Sequence, residues 1–117
     1  MGKKILVVDD EAGYRDLLRL ELAGHGFTVL TACDGTQAAG ILAAEKVDLV
    51  ITDMKMPNRD GLDVLWAAKN CSPEVPVILM TGYAVEGRAE SVIHEARAFL
   101  RKPFDLSELS SLVQAAF

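Results

Sequence analysis

Five polar residues stand where runs of apolar residues end. Asp9-Asp10 follow Ile5-Leu6-Val7-Val8, Asp53 follows Leu49-Val50-Ile51-Thr52, Thr81 follows Val77-Ile78-Leu79-Met80, and Lys102 follows Phe99-Leu100-Arg101. If each run is a strand of one parallel sheet, all five lie at its carboxyl edge, where open α/β sheets build their ligand sites. Three carboxylates, a hydroxyl and an ammonium then share one cleft. Carboxylates a few ångströms apart repel, and one stays protonated unless a cation sits among them. An oxygen-only donor set suits Mg2+, which keeps several waters and needs only two or three carboxylates. An aspartate can act as a nucleophile on phosphorus to give an aspartyl phosphate, while a metal and an ammonium offset charge on the transferring oxygens. No histidine, serine or cysteine is placed for acyl transfer, and no glycine-rich phosphate loop is present. Singly, each residue has a bland use: the Asp pair as a helix cap, Asp53 before Met56-Pro57 as a turn residue, Thr81 as a strand end, Lys102 as a surface lysine. Together they point to metal-assisted phosphoryl chemistry.

The elements that must position these groups follow from periodicity. Runs at 5–8, 49–51 and 77–80 are uninterrupted and rich in β-branched residues, as strands covered on both faces should be. The run at 27–32 mixes threonine with apolar residues and suits one edge; 98–100 suits the other. Tyr14, Leu18 and Leu22 repeat at i, i+4, i+8 and predict a helix that starts at Asp10-Glu11 and stops near Gly24-His25-Gly26. A second helix is expected over 36–45, with small Ala38, Ala39, Gly40 and Ala43 allowing close approach to the sheet. Leu62, Leu65, Trp66 and Ala68 mark a third, opened by Asp60-Gly61. Ala89, Val92, Ile93 and Ala96 give a weaker fourth over 86–95. The fifth, over 106–116, has Asp105 or Ser107 near its start and buries Leu109, Leu112 and Val113. Alternating β and α with short links implies right-handed crossovers and a three-layer sandwich. A five-stranded parallel sheet of order 2-1-3-4-5 with five helices puts Asp9, Asp10 and Asp53 on neighbouring central strands.

The 117 residues are expected to form one domain, 1–117, with half of the chain apolar and a quarter charged. A net charge of −5 argues against nucleic-acid binding by this segment. No apolar run approaches membrane-spanning length and no charged-then-apolar leader is present, so a cytoplasmic location is expected. Cys33 and Cys71 read as reduced thiols, and His25 and His94 as surface or helix-end residues.

Four segments carry a family resemblance. Lys4-Ile5-Leu6-Val7-Val8-Asp9-Asp10-Glu11, Asp53-Met54-Lys55-Met56-Pro57-Asn58-Arg59-Asp60-Gly61, Met80-Thr81-Gly82 and Lys102-Pro103-Phe104 resemble the four signatures of receiver domains from bacterial two-component response regulators. The resemblance covers essentially the whole chain, in the family's order. It implies a flavodoxin-like fold in which Asp53 accepts a phosphoryl group from a sensor histidine kinase or a histidine phosphotransfer protein. Asp10 would then ligate Mg2+ directly and Asp9 mainly through water, with Asp53 and the main-chain carbonyl of Lys55 completing the protein ligands. Lys102 would pair with the phosphoryl group and Thr81 would hydrogen-bond to it. Phe99 holds the family's aromatic switch position, and Lys102-Pro103 the bond its members usually hold cis.

In this resemblance, movement of Thr81 lets Phe99 turn inward and changes the surface of the fourth helix, fifth strand and fifth helix. The module is then no turnover enzyme, but a phosphoacceptor with autophosphorylation and autodephosphorylation chemistry, and a phosphorylation-dependent dimer is compatible with it. Lys55 and Tyr83, each two residues past a site residue, are expected to overhang the phosphoryl group and set its lifetime. Two departures stand out: Glu95-Ala96 replaces the common Gly-Ala, and the switch residue is Phe99 rather than tyrosine. Two other functions compete. A small Mg2+-dependent phosphatase of the haloacid-dehalogenase type expects Asp-x-Asp after the first strand, where this chain has Asp9-Asp10-Glu11, and it expects a cap domain. A receiver-like binding module without phosphorylation would not need the intact Asp9, Asp10, Asp53, Thr81 and Lys102 set.

Overall fold

The structure is a computed structural model that describes residues 2–54, 61–82 and 96–117. Its elements alternate as β1 (Lys4–Val8), α1 (Ala12–Gly24), β2 (Thr28–Ala32), α2 (Gly35–Ala44), β3 (Leu49–Asp53), α3 (Gly61–Cys71), β4 (Val77–Thr81), β5 (Ala98–Arg101) and α4 (Leu106–Ala115). The strands form one parallel sheet of order β2-β1-β3-β4-β5, as the alternation predicts. Four helices lie among the described residues; the helix expected over 86–95 falls outside them, as do Glu95 and His94.

Side chains of a strand point alternately to opposite faces, and here each face is apolar. Ile5, Val7, Leu49, Ile51, Ile78, Met80 and Leu100 pack with Leu18 and Leu22 of α1 and Leu109 and Val113 of α4. Leu6, Val8, Val50, Val77 and Leu79 pack with Ala38 and Leu42 of α2 and with Leu62, Val64, Leu65 and Ala68 of α3. β3 and β4 are buried along their whole length, which is why their sequences run apolar without alternation. No helix among the described residues is long and apolar enough to cross a membrane.

The helices differ from expectation in detail. α1 begins after Asp10-Glu11, with Glu11 as its N-cap residue, and its exit turn uses Gly26 at φ 92°, a left-handed conformation that favours glycine. α2 begins one residue early because Asp34 caps it: the Asp34 side chain accepts from the Gln37 N–H at 2.8 Å, and the Gln37 side-chain oxygen accepts from the Cys33 N–H at 2.6 Å. Gly40 and Ala43 are exposed, not turned to the sheet; Gly35, Ala38 and Leu42 are the buried positions. Trp66, expected to face inward, is 44% exposed, while Val64 is buried: two positions apart, they lie about 200° from one another around the helix. Leu112 is only half-buried. Cys33 and Cys71 are exposed free thiols, and His25 is on the surface against Glu21.

Gly61 opens α3 where the chain returns to the end of β3, its N–H donating to the Met54 carbonyl at 2.9 Å. A Cβ there would drive into the Asp53 carbonyl oxygen and come within 2.8 Å of the Met54 Cα. Those are backbone atoms beside Asp53 and cannot yield. Gly61→Ala is therefore expected to cost about 1–3 kcal/mol, whereas Gly40→Ala, with open space around its Cβ, should gain about 0.5–1 kcal/mol. Urea denaturation of the two variants checks both signs.

Candidate functional site

Asp9, directly after β1, is fully buried and held on every side. Its N–H donates to the Ala32 carbonyl of β2 at 3.1 Å. One carboxylate oxygen, Oδ1, accepts the Glu11 N–H at 2.9 Å, and the other, Oδ2, accepts from Lys102 Nζ at 2.8 Å. Its carbonyl accepts from the Arg15 guanidinium at 2.7 Å. Asp53 ends β3, is buried, and accepts from Lys102 Nζ at 3.0 Å. Thr81 ends β4, is buried, and its carbonyl accepts the Lys102 N–H at 2.8 Å. The Met54 N–H donates to the Met80 carbonyl at 2.9 Å, tying the first residue after β3 to β4 beside the site.

Asp10, Glu11, Asp53, Met54, Thr81, Gly82 and Lys102 line a cleft of about 360 Å³. The Lys102 side chain is 12% exposed, with the Glu11 carboxylate 3.8 Å away and the Tyr14 ring centroid 4.0 Å away. The Lys102-Pro103 peptide bond is cis. The Lys102 ammonium thus faces the carboxylates of Asp9, Glu11 and Asp53, and these three with Asp10 offer oxygens all within 4.8 Å of one another. Burial pushes the Asp9 carboxyl above its ordinary value, against the hydrogen bonds from Lys102 and the Glu11 N–H, and the charge of Asp53 adds to the rise. Burial alone would lower Lys102, but the hydrogen bonds and charges of Asp9 and Asp53 outweigh it and hold the lysine above its ordinary value. Oxygen-only donors with negative charge in excess fit a hard divalent cation such as Mg2+.

The residues singled out from sequence, Asp9, Asp10, Asp53, Thr81 and Lys102, meet at one place. Phe99 stands apart: it is half-buried on β5, paired with Leu79 of β4 and packed on the sheet face that α2 and α3 cover. Lys55 and Tyr83 lie outside the described residues. Sequence reasoning missed three contributors. Sequence pattern marks Glu11 as a helix opener and Tyr14 as a core residue of α1, and gives Arg15 no role. The signal was available in the spacing, since the first turn of a helix that follows Asp9-Asp10 must overlie the carboxyl edge.

A doubly wound parallel sheet with an acidic pocket at the ends of its central strands, closed by a lysine from the turn after the last strand, defines the receiver class of signalling domains. The chain belongs to the response regulator receiver domain family, whose model matches residues 5–114. It is 37% identical over 115 residues to sporulation initiation phosphotransferase F of Bacillus subtilis, covering 97% of this chain and 93% of that protein. It is 34% identical over 116 residues to response regulator MprA of Mycobacterium tuberculosis, covering 98% of this chain and 50% of that one. A similar solved structure is response regulator TrrA of Thermotoga maritima in complex with Mg2+ and BeF, with TM-score 0.89 and 34% identity over 98% of this chain and 99% of that one. The chain thus spans nearly all of one curated relative and half of another. It is a receiver domain of the two-component type, a signalling module, and the haloacid-dehalogenase reading has no support.

Lys102 offsets the charge of two buried carboxylates, and its removal would leave them without that compensation. Because its folded pKa is raised, its contribution is complete below the ordinary lysine value of 10.5 and is lost as pH rises through the higher folded value. Lys102→Met is expected to destabilise the metal-free protein at neutral pH by about 3 kcal/mol, with the gap to the parent protein narrowing above pH 10.5. Urea midpoints in chelator across that range check it.

Proposed function

We propose that this receiver is switched by phosphorylation of Asp53, the phosphoryl group coming from a sensor histidine kinase or a histidine phosphotransfer protein. The receiver is proposed to occupy residues 1–117, to work in the cytoplasm, to make no nucleic-acid contact of its own and to act on a separate output domain or target protein. The observation that carries the proposal is the contact of Asp53, at the end of β3 and at the wall of the cleft, with Lys102 at 3.0 Å. The carboxylate oxygen of Asp53 attacks phosphorus, and the bond from phosphorus to the donor nitrogen breaks as the new P–O bond forms. Asp10 and Asp53 would hold Mg2+, with Asp9 acting mainly through water and the main-chain carbonyl of Lys55 as a further ligand. Bound there, the cation would neutralise charge on the phosphoryl oxygens.

Phosphorylation puts roughly −1.5 to −2 charges in place of one carboxylate. Lys102 pairs with the new oxygens and the Thr81 hydroxyl donates to them. Charge-assisted hydrogen bonds are worth about 1.5–3 kcal/mol each, so two approach the roughly 5.5 kcal/mol that takes a two-state equilibrium from 1:99 to 99:1. Thr81 drawn toward the phosphoryl group leaves room for Phe99 to turn inward, and the surface around β5 and α4 changes.

Incubation with acetyl phosphate and Mg2+ should raise the intact mass by one phosphoryl group. Asp53→Asn, or chelation of Mg2+, should abolish the gain; phosphate recovered on Asp9 or Asp10 would reassign the nucleophile. Thr81→Ala should still accept phosphate while losing much of the chemical-shift change around Phe99, and a full change in that variant would break the proposed link between threonine and aromatic.

A further inference from the structure

Tyr14 is the first residue of the inward stripe of α1, and it differs from the rest of that stripe. Leu18 and Leu22 are fully buried in the core, whereas Tyr14 is half-buried at the end of the stripe nearest the acidic cleft. Its ring centroid lies 4.0 Å from Lys102 Nζ, well inside the roughly 6 Å over which an aromatic face attracts a cation. The Lys102 side chain is 12% exposed, and shielding from water puts such a contact at the strong end of its range. An ammonium has three N–H donors. Asp9 at 2.8 Å and Asp53 at 3.0 Å take two directions, and the aromatic face covers a further side.

The ring is braced from the same turn that carries the lysine. Phe104, two residues beyond Lys102, lies 6.0 Å from Tyr14 with its plane tilted by 43°. The competing partner for the ammonium points outward: the Glu11 carboxylate is 3.8 Å away and its side chain is 63% exposed. A ring on the flank of the ammonium attracts it without adding negative charge to a pocket that already has an excess.

We propose that Tyr14 is a positioning residue for Lys102, its aromatic face holding the ammonium at Asp53 in readiness for the phosphoryl group. The proposal rests on Asp53 as the phosphoacceptor. A residue that only filled the core could be replaced by leucine; a residue that faces a cation needs its π-electrons but not its hydroxyl. Tyr14→Phe should therefore behave as the parent protein. Tyr14→Leu, and pentafluorophenylalanine at position 14, which keeps the ring shape and reverses its charge distribution, should behave alike and differently from the parent.

Two measurements decide it. In the metal-free, unphosphorylated protein, the Lys102 ε-methylene protons should be shifted upfield by the ring in the parent and in Tyr14→Phe, and the shift should vanish in Tyr14→Leu. In Mg2+ and acetyl phosphate, the rate of phosphoryl gain should be unchanged in Tyr14→Phe and about tenfold lower with leucine or the fluorinated ring, as loss of about 1.4 kcal/mol of transition-state stabilisation requires. A fluorinated variant as fast as the parent overturns the proposal, as does Tyr14→Phe as slow as Tyr14→Leu. The fluorinated ring also serves if Tyr14→Leu does not fold. If the parent protein gains no phosphoryl group, the reading of Asp53 fails, while an absent ring shift in the parent removes the contact with Tyr14 independently.

Discussion

Crowding of like charge at the carboxyl edge of the sheet is the constraint on which the rest of the structure depends. The order β2-β1-β3-β4-β5 makes β1 and β3 neighbours, so Asp9-Asp10 and Asp53 cannot avoid one another. Four carboxylates offering oxygens within 4.8 Å would drive the edge apart or take up protons without compensation. Lys102 supplies part of it from the far side of the sheet. The turn after β5 must therefore sit where it does, and the Lys102 N–H bond to the Thr81 carbonyl at 2.8 Å anchors it to the strand between.

Such a site needs a frame that does not yield. β3 and β4 are buried throughout, and an interior packed at crystal-like density resists small displacements. Asp53 and Thr81 are thus presented from rigid strand ends, while Asp10 and Glu11 lead into α1 at the exposed rim. The backbone is kept close by Gly61, which lets α3 start against the Asp53 carbonyl. The fold's contribution to chemistry is to force charges together at rigid strand ends and to bring Lys102 to them from a turn.

Much of this was legible in the sequence. Central strands such as Val77-Ile78-Leu79-Met80 read clearly because both faces are apolar, and the polar residues that end them mark the edge. The sheet order and the meeting of Asp9, Asp10, Asp53, Thr81 and Lys102 followed. Helix faces read less well. Trp66 is apolar yet exposed, and Gly40 and Ala43 are small yet turned outward, because residue type says little about direction when a helix has apolar residues around much of its circumference. Tyr14 was hidden for the opposite reason: its spacing with Leu18 and Leu22 is that of a core residue, and only the approach of Lys102, 88 positions later in the chain, gives its ring a second use.

The sharing of Lys102 also bears on why a cation and phosphorylation should act together. Asp9 is fully buried and its ionised form is already disfavoured by burial, with Lys102 as its chief relief. If phosphorylation of Asp53 draws Lys102 toward the new oxygens, Asp9 loses that relief at the moment the pocket gains negative charge. A buried carboxylate that loses its partner costs several kcal/mol, comparable to what the lysine gains on the phosphoryl group. The exchange is eased if Asp9 takes up a proton or if another positive charge takes the place of Lys102 beside it. A cation among these carboxylates would therefore serve the buried Asp9 as well as the chemistry proposed at Asp53.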